Sequence, residues 1–395
     1  MLAFTFPGQG SQRPGMGRPW VDHPSWELVA DVSDAADRDV SRLLLEADQE
    51  ELNRTDCSQL SMFTLSLVIL DAIERLGIEP THAAGHSMGE YSALVASGAL
   101  SVEDGIHEVA ERGIAMQKAA DLAPGTMAAI LGLEDEAVQV ACRRADADVW
   151  VANFNAPGQV VVAGYVDAVD AATEIALGLG AKKVVPLQVG GAFHCQLMGT
   201  ARTPLRKALA EVTFRDPELV LVANVDALPH AEAEEWPSLL SAQLQSPVRW
   251  RQTIELLSSC GISKFVEVGP SGVLSGLARR TLPECQAISV ATPQDLDQLV
   301  DAVAGQSPLH TYALDHPGEQ LFMSERLVVS PCAGLFTLVG GGPTNDGDTV
   351  GAGDLIGTVA GQDVRSPVAG NLMGMLAVDG ERVTLGQPIA WLRSA

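Results

Sequence analysis

A serine flanked by glycines, in Gly85-His86-Ser87-Met88-Gly89, is the stretch of this sequence best suited to nucleophilic chemistry. Residues 81–84 before it are mostly apolar and predict a short strand, whereas residues 88–97 have helical spacing. A serine at the apex of such a strand–turn–helix exposes its Oγ beside backbone N–H groups that can bind an oxyanion. The pentapeptide alone also fits an ordinary helix-entry turn, so the surrounding elements must decide between the two interpretations.

Two other segments offer polar groups to the same region. The chain opens with a short strand that ends in a Gly-rich loop at residues 6–12, where Gln9 carries a backbone N–H and an amide side chain. Residues 102–119 have the periodicity of a helix, which carries Arg112 and Met116.

Residues 125–192 follow the order β-α-β-β-α-β, which is typical of a small ferredoxin-like subdomain inserted in a larger α/β domain. Such insertions commonly form one wall of a cleft, since binding sites gather at domain interfaces. His194 comes directly after the insertion, where the chain returns to the larger domain formed by residues 1–124 and 193–305.

The chain beyond residue 305 has a different character. Residues 306–325 contain turn-forming prolines and glycine and are predicted to be a linker. Residues 326–395 are β-rich and internally repeated, since the pattern Ser-Pro-x-Ala-Gly at 330–334 recurs at 366–370. Two similar halves of short strands predict a small, separate, all-β domain.

Charge and cysteine usage limit the partners and the compartment. The formal net charge of −25 argues against nucleic acid and anionic membrane as partners. Six scattered cysteines without a C-x-x-C pair predict free thiols, with neither a disulfide framework nor a metal site, and no secretory signal is recognised, so we expect a cytoplasmic protein. No apolar run approaches the roughly 20 residues of a membrane span, although residues 61–76 are predicted to form a strongly apolar helix.

An acidic partner would need a local cluster of basic side chains on this acidic chain. The candidates are Arg202, Arg206, Lys207, Arg249, Arg251, Arg279 and Arg280.

Six motifs occur in order along the first three quarters of the chain. They are Phe-Pro-Gly-Gln-Gly-Ser-Gln at 6–12, Gly-His-Ser-Met-Gly-Glu-Tyr-Ser-Ala-Leu at 85–94, Glu-Arg-Gly at 111–113, Asn-Phe-Asn-Ala-Pro-Gly-Gln at 153–159, Ala-Phe-His at 192–194 and Glu-Val-Gly-Pro-Ser-Gly-Val-Leu at 267–274. Together they resemble the malonyl-CoA:acyl carrier protein transacylases. The resemblance implies a large α/β-hydrolase-like domain with the inserted ferredoxin-like subdomain, no cofactor, and malonyl-CoA and an acyl carrier protein as partners.

The resemblance also implies roles for particular residues. Ser87 would be the nucleophile and His194 the base, with the backbone N–H groups of Gln9 and Met88 as the oxyanion hole. Arg112 would bind the malonyl carboxylate. In this family a backbone carbonyl orients the histidine, and the matching stretch is residues 246–250.

Four further residues would line the substrate site by the same resemblance, namely His86, Met116, Asn155 and Phe193. In related polyketide acyltransferases Ala-Phe-His accompanies selection of malonyl over methylmalonyl units, so Phe193 favours malonyl. Gly-Ala-Phe-His also resembles freestanding acyltransferases that serve polyketide synthases in trans, which leaves fatty-acid and polyketide synthesis both open.

Residues 326–395 resemble a biotinyl/lipoyl carrier domain, a barrel-sandwich hybrid that displays a modified lysine on a hairpin. That hairpin would fall near residues 359–363, where there is no lysine, and the last lysine of the chain is Lys264. The domain would therefore dock a partner, such as the carrier protein, an acyl-CoA carboxylase or a polyketide synthase component. A stabilising appendage is the alternative.

Three other functions are alternatives to malonyl transfer to a carrier protein. A transacylase subunit of a malonate decarboxylase would differ only in its acceptor. An acyl-carrier-protein thioesterase would use the same dyad with water, although Arg112 argues against it. An inactive scaffold that recruits through its C-terminal domain is opposed by the intact set of Ser87, His194 and Arg112.

Overall fold

The computed structural model describes residues 1–304, 325–339, 347–351, 353–366, 369–384 and 386–394. The chain divides into two compact units, Met1–Ser307 and Pro308–Ala395. The first unit is mixed α/β, and the regular elements described in the second are all strands. The predicted linker at 306–325 lies outside the described residues except for Glu325.

The helices of the first unit are α1 Leu28–Ala35, α2 Val40–Leu45, α3 Gln49–Asn53, α4 Thr55–Glu74, α5 Gly89–Ala96, α6 Val102–Leu122, α7 Asp135–Ala145, α8 Val166–Gly178, α9 Gly199–Leu209, α10 Trp236–Gln243, α11 Trp250–Ser259, α12 Val273–Thr281 and α13 Asp295–Ala304. The strands of this unit are β1 Leu2–Phe6, β2 His82–Gly85, β3 Thr126–Leu131, β4 Val149–Ala156, β5 Gln159–Gly164, β6 Lys183–Pro186, β7 Val220–Val222, β8 Lys264–Val268 and β9 Gln286–Val290. Those of the second unit are β10 Glu325–Val329, β11 Gly334–Leu338, β12 Thr349–Val350, β13 Leu355–Val359, β14 Gln362–Arg365, β15 Gly370–Met375, β16 Arg382–Val383 and β17 Pro388–Ser394.

A five-stranded parallel sheet, in the order β7-β2-β1-β8-β9, forms the centre of the first unit. Every residue of β1 and β2 is buried, as expected of parallel strands covered by helices on both faces. The loop with Gln9 follows β1 and the turn with Ser87 follows β2. Because carboxyl ends of adjacent parallel strands meet at one edge of the sheet, these two segments lie side by side.

Helix α4 is apolar on nearly every side because it runs through the core. It is long and apolar enough to cross a membrane by length and composition alone, so the expectation that no segment approaches a membrane span was wrong. In the structure 89% of its apolar window is buried inside the protein, as in a core helix. Its Ser66 Oγ donates a hydrogen bond to the carbonyl of Val268 in β8, which ties the helix to the sheet.

The inserted segment has the element order β3-α7-β4-β5-α8-β6 and an antiparallel sheet in the order β4-β5-β3-β6. Its helices and sheet enclose a separate apolar cluster that includes Ile130, Val138 and Val160. Strand β4 also joins the segment to the rest of the unit. The N–H of Phe154 donates to the carbonyl of Val248, and the N–H of Val248 donates to that of Ala152.

The second unit contains two four-stranded sheets, in the orders β10-β17-β15-β12 and β14-β13-β11-β16, with antiparallel pairing. Alternate residues of these strands, such as Phe336, Ile356 and Leu392, form one buried cluster. As the sequence predicts, a hairpin lies near residues 359–363. Its two turn residues, Ala360 and Gly361, have φ values of 50° and 82°, as a two-residue turn of type I′ requires.

Candidate active site

Ser87 stands at a strained turn between β2 and α5. Its φ is 55°, in the left-handed region that a non-glycine residue rarely adopts. The flanking glycines permit the turn because there is no room for side chains. A Cβ on Gly85 would lie 1.9 Å from the carbonyl of Gly89, and a Cβ on Gly89 would lie 2.1 Å from the carbonyl oxygen of Phe6. The two glycines therefore let the turn pack directly against itself and against β1.

His194 forms a hydrogen-bonded dyad with Ser87. The Oγ of Ser87 lies 2.7 Å from Nε2 of His194, and Nδ1 of His194 lies 2.9 Å from the carbonyl oxygen of Gln243. Since a carbonyl only accepts, Nδ1 carries the proton and Nε2 is free to accept one from the serine. The sequence placed the orienting carbonyl within residues 246–250. The carbonyl that accepts from Nδ1 belongs to Gln243, three residues earlier, while the backbone of Ser246 also interacts with the ring of His194. Gln243 is the last residue of α10, where helical carbonyls lack a partner within the helix.

Burial keeps His194 neutral. The side chain is only 4% exposed, and desolvation, followed by the positive charge of Arg112, lowers the pKa of His194 to about 3. An imidazole in this state can accept the serine proton across the physiological pH range.

The guanidinium of Arg112 reaches the nucleophile from α6. Its Nη1 donates to Oε1 of Gln59 at 2.7 Å, and its Nη2 donates to Oε1 of Gln243 at 2.7 Å and to the Oγ of Ser87 at 3.3 Å. The side chain is fully buried, and no ion pair to Arg112 is found in the described part of the chain. A buried cation that is held by neutral amide oxygens, with no carboxylate within ion-pair distance among the described residues, is suited to bind an anion beside the serine.

Three residues that the sequence did not single out complete the site: Asn224, Gln243 and Glu90. The Oδ1 of Asn224 accepts from the N–H of Ser87 at 2.7 Å, and its Nδ2 donates to the carbonyl of Gly85 at 2.6 Å, which fixes the backbone that enters the turn. Glu90 accepts from the N–H of Asn224 and from Nε2 of Gln243. Glu90 lies within the motif at 85–94, so the sequence could have identified it. Asn224 and Gln243 lie in other segments, which only the fold brings close to Ser87.

The structure gathers most of the predicted substrate residues around one cavity of about 160 Å³ beside the dyad. Its wall includes Gln9, His86, Met116, Asn155 and Phe193, together with Ser87 and His194. Met88 does not line this cavity, because its side chain is buried in the core. Only its backbone N–H could serve the reaction.

Two contacts fix the shape of this cavity. The Nε2 of His86 lies 2.9 Å from Oδ1 of Asn155, and burial lowers the pKa of His86, so the neutral ring donates to the amide oxygen. The Sδ of Met116 accepts from Nε2 of Gln59 at 3.3 Å, and the same Gln59 holds Arg112. The pocket wall and the guanidinium therefore share a support.

The chain is similar to known acyl transferases along its first unit. The family described as "Acyl transferase domain" matches residues 3–305. The chain is 38% identical over 307 residues to the malonyl CoA-acyl carrier protein transacylase of Bacillus subtilis (strain 168), a match that covers 76% of this chain and 97% of that protein. This chain belongs to the malonyl-CoA:acyl carrier protein transacylase family. The resemblance seen in the sequence is thus confirmed for the first three quarters of the chain.

Solved structures of transacylases agree with this assignment. The malonyl-CoA:acyl carrier protein transacylase of Xanthomonas oryzae pv. oryzae superposes with a TM-score of 0.74 at 40% identity, covering 76% of this chain and 98% of that one. A malonyl-transacylase in complex with its type II PKS acyl-carrier protein also superposes with a TM-score of 0.74, at 36% identity and over 76% and 99% of the two chains. The family match ends at residue 305, before the second unit begins.

Proposed function

We propose that this protein transfers a malonyl group from malonyl-CoA to the phosphopantetheine thiol of an acyl carrier protein, for fatty-acid or polyketide synthesis. The observation that carries the proposal is the position of Arg112. A fully buried guanidinium without an ion pair among the described residues lies 3.3 Å from the Oγ of a serine that is hydrogen-bonded to a histidine. An acyl group that itself carries a carboxylate satisfies this cation, whereas acetyl and longer monocarboxylic groups leave it unpaired.

The reaction would proceed in two half-steps at the dyad. The Oγ of Ser87 attacks the thioester carbonyl while Nε2 of His194 takes its proton, and the backbone N–H groups of Gln9 and Met88 bind the oxyanion. The carbon–sulfur bond then breaks, and the CoA sulfur takes the proton back from Nε2. In the second half-step the carrier thiol gives its proton to His194 and attacks the malonyl ester, which restores the Ser87 hydroxyl.

Phe193 would make the acyl pocket selective. Its side chain is 5% exposed and lines the cavity beside Ser87, so an α-methyl group on the malonyl unit would compete for the same space. A methyl group in a tight apolar pocket is worth about 1–3 kcal/mol of discrimination. We therefore include preference for malonyl over methylmalonyl in the proposal.

The proposal includes the domain architecture and a cytoplasmic location. Residues 1–124 and 193–305 would form an α/β-hydrolase-like domain, because the nucleophile follows a parallel strand at a sharp turn, with residues 125–192 as the inserted ferredoxin-like subdomain. Six cysteines without a disulfide, all among the residues described, are consistent with a reducing cytoplasm.

The second unit would be a carrier-like domain that cannot be modified with biotin or lipoate, because it has no lysine. In its favour are the two four-stranded sheets of the described residues, the hairpin at Ala360–Gly361 that joins β13 to β14, and the absence of lysine after Lys264 in the sequence. We propose that it docks the acyl carrier protein or an enzyme that supplies malonyl-CoA.

Intact-protein mass spectrometry tests the function directly. The wild type, Ser87→Ala and Arg112→Ala are each incubated briefly with malonyl-CoA, acetyl-CoA or methylmalonyl-CoA. We expect a malonyl adduct on the wild type, none on Ser87→Ala and a strongly weakened one on Arg112→Ala. The wild type should acquire less of a methylmalonyl or acetyl adduct. Release of CoA without an adduct would instead indicate hydrolysis, and neither adduct nor release would favour an inactive scaffold.

A further inference from the structure

A buried carboxylate, Glu90, connects the two halves of the site. Its side chain is 1% exposed, and each of its oxygens accepts a hydrogen bond from a different part of the chain. Oε1 accepts from the backbone N–H of Asn224 at 2.7 Å, and Oε2 accepts from Nε2 of Gln243. Asn224 binds the Ser87 turn, and Gln243 binds both His194 and Arg112, so Glu90 touches no reacting atom but contacts both supports.

The side-chain amide of Gln243 has a defined polarity in this network. Its Nε2 faces Glu90 and also donates to the carbonyl of Ser87 at 2.9 Å, while its Oε1 faces Nη2 of Arg112 at 2.7 Å. A flipped amide would place its NH₂ against the guanidinium donors and its oxygen against the carboxylate. The carboxylate on one side and the cation on the other therefore both select the observed orientation.

We propose that Glu90 is a positioning residue for malonyl recognition: by accepting from Nε2 of Gln243 it keeps the Gln243 oxygen on Arg112, and thereby keeps the guanidinium where it meets the malonyl carboxylate. This inference rests on the function proposed above. Its distinguishing consequence is selectivity. A residue that merely supports the fold would affect malonyl and acetyl substrates alike, whereas loss of the Arg112 support removes a contact that only malonyl uses.

The same contact predicts a dependence on pH. Burial, as the largest cause, raises the pKa of Glu90 to about 7, and the charged groups that face it are Arg112 from α6 and Asp226 from the segment after β7. A protonated Glu90 has one oxygen that donates, which removes an acceptor from either Gln243 or Asn224. The malonyl carboxylate, with an ordinary pKa of about 4, and His194 do not titrate near pH 7.

The experiment measures kcat/KM for ester formation with malonyl-CoA and with acetyl-CoA between pH 5.5 and 8.5. The proteins are the wild type, Glu90→Gln and, as a matched control, Glu108→Gln. Glu108 is also a fully buried glutamate, but both of its oxygens lack hydrogen-bond partners within the part of the chain described, and it makes no contact with Gln243.

In the wild type the malonyl-to-acetyl ratio should fall as the pH drops through about 7. Glu90→Gln should lower this ratio about tenfold at pH 8, the effect of weakening one hydrogen bond to a charged group, and should make it independent of pH. The control should behave as the wild type. The proposal is overturned if Glu90→Gln keeps the wild-type ratio, or if the wild-type ratio is constant over the whole range from pH 5.5 to 8.5.

The pH dependence of the malonyl-to-acetyl ratio in the wild type tests the role of Glu90 even if Glu90→Gln does not fold, because that measurement needs no substitution. Failure of this inference is also separable from failure of the proposed function. A wild type that forms no malonyl ester at any pH refutes the function, whereas an active wild type with an unchanging ratio refutes only the role of Glu90.

Discussion

Both residues of the dyad occupy backbone conformations that cost energy. Ser87 has a φ of 55° and His194 a φ of 58°, and each such residue costs about 1–3 kcal/mol. The surrounding contacts hold them there: Asn224 binds the N–H of Ser87 and the carbonyl of Gly85, and the carbonyl of Gln243 binds the ring of His194. The strain aims both side chains at the 2.7 Å contact between Oγ and Nε2.

The close approach of Gly89 to β1 predicts that Gly89→Ala abolishes activity. The added Cβ would lie 2.1 Å from the carbonyl oxygen of Phe6, so the turn must move away from β1 and carry the Oγ of Ser87 off Nε2 of His194. A displacement of about 1 Å at a catalytic group can cost about 100-fold in rate. We expect at least this loss in the rate of malonyl-ester formation. Intact-protein mass spectrometry measures that rate.

Gly276→Ala is the matched control for that substitution. Gly276 lies on the exposed side of α12, and a Cβ there would meet nothing within 4 Å. Alanine should leave activity unchanged and raise stability by up to about 1 kcal/mol, because glycine is unfavourable inside a helix. An active Gly89→Ala would show that the turn tolerates the displacement and that the glycine is not required.

The residues proposed for catalysis could be predicted where the signal is local. Ser87, His194 and Arg112 each stand in a motif whose spacing and neighbours are visible in the sequence, and the fold brings all three together. Asn224 and Gln243 could not be predicted, because nothing within their own segments marks them. Each acquires its partner only when β7 and α10 pack beside the turn, more than 130 residues further along the chain.

At the level of elements, three helices converge on the guanidinium of Arg112. Helix α6 carries Arg112, α4 contributes Gln59 and the end of α10 contributes Gln243. The end of α10 has a second use, since the carbonyl of Gln243 orients His194. A helix C-terminus offers carbonyls with no intrahelical partner and a partial negative charge, which suits an imidazole N–H.

Helix α6 also contains a buried acid whose charge opposes folding. Glu108 is fully buried, and burial, followed by the negative charges of Glu111, Asp104 and Glu211, raises its pKa to about 8. In the unfolded chain the pKa is near its ordinary value of 4.5. The folded state therefore binds the proton more tightly, and the free energy of unfolding decreases as the pH rises from about 4.5 to 8.

Glu108→Gln should remove this dependence. The neutral amide has the same size as the carboxyl group and is not ionised at any pH. The melting temperature of Glu108→Gln should therefore match that of the wild type near pH 5 and exceed it by at least about 2 °C at pH 8. Differential scanning calorimetry across this range provides the measurement. Glu174→Gln, which removes one charge from an exposed position on α8, controls for net charge. An equal shift at pH 5 and pH 8 would contradict an ionising Glu108.

At the level of the whole molecule, the two units have separate apolar cores, and the family match ends at residue 305. A match that covers 76% of this chain covers 97% of the transacylase of Bacillus subtilis. The fold of that unit thus exists in proteins that consist of little else. The β-rich character of the second unit was predicted from its repeats, because each repeat contains its own strand and turn residues.

Removal of residues 308–395 tests what the second unit contributes. The shortened chain keeps every residue of the dyad, the Arg112 support and the cavity, so malonyl-ester formation should stay within about twofold of the wild type. If the second unit docks the carrier protein, transfer to the native acyl carrier protein should show a KM raised about tenfold with kcat unchanged, because a second contact raises the local concentration of the acceptor.

Free pantetheine, which offers the thiol without a protein surface, should be malonylated equally by both chains. An unchanged KM for the carrier protein would exclude docking, and a lower melting temperature of the first unit would assign the second unit a stabilising role.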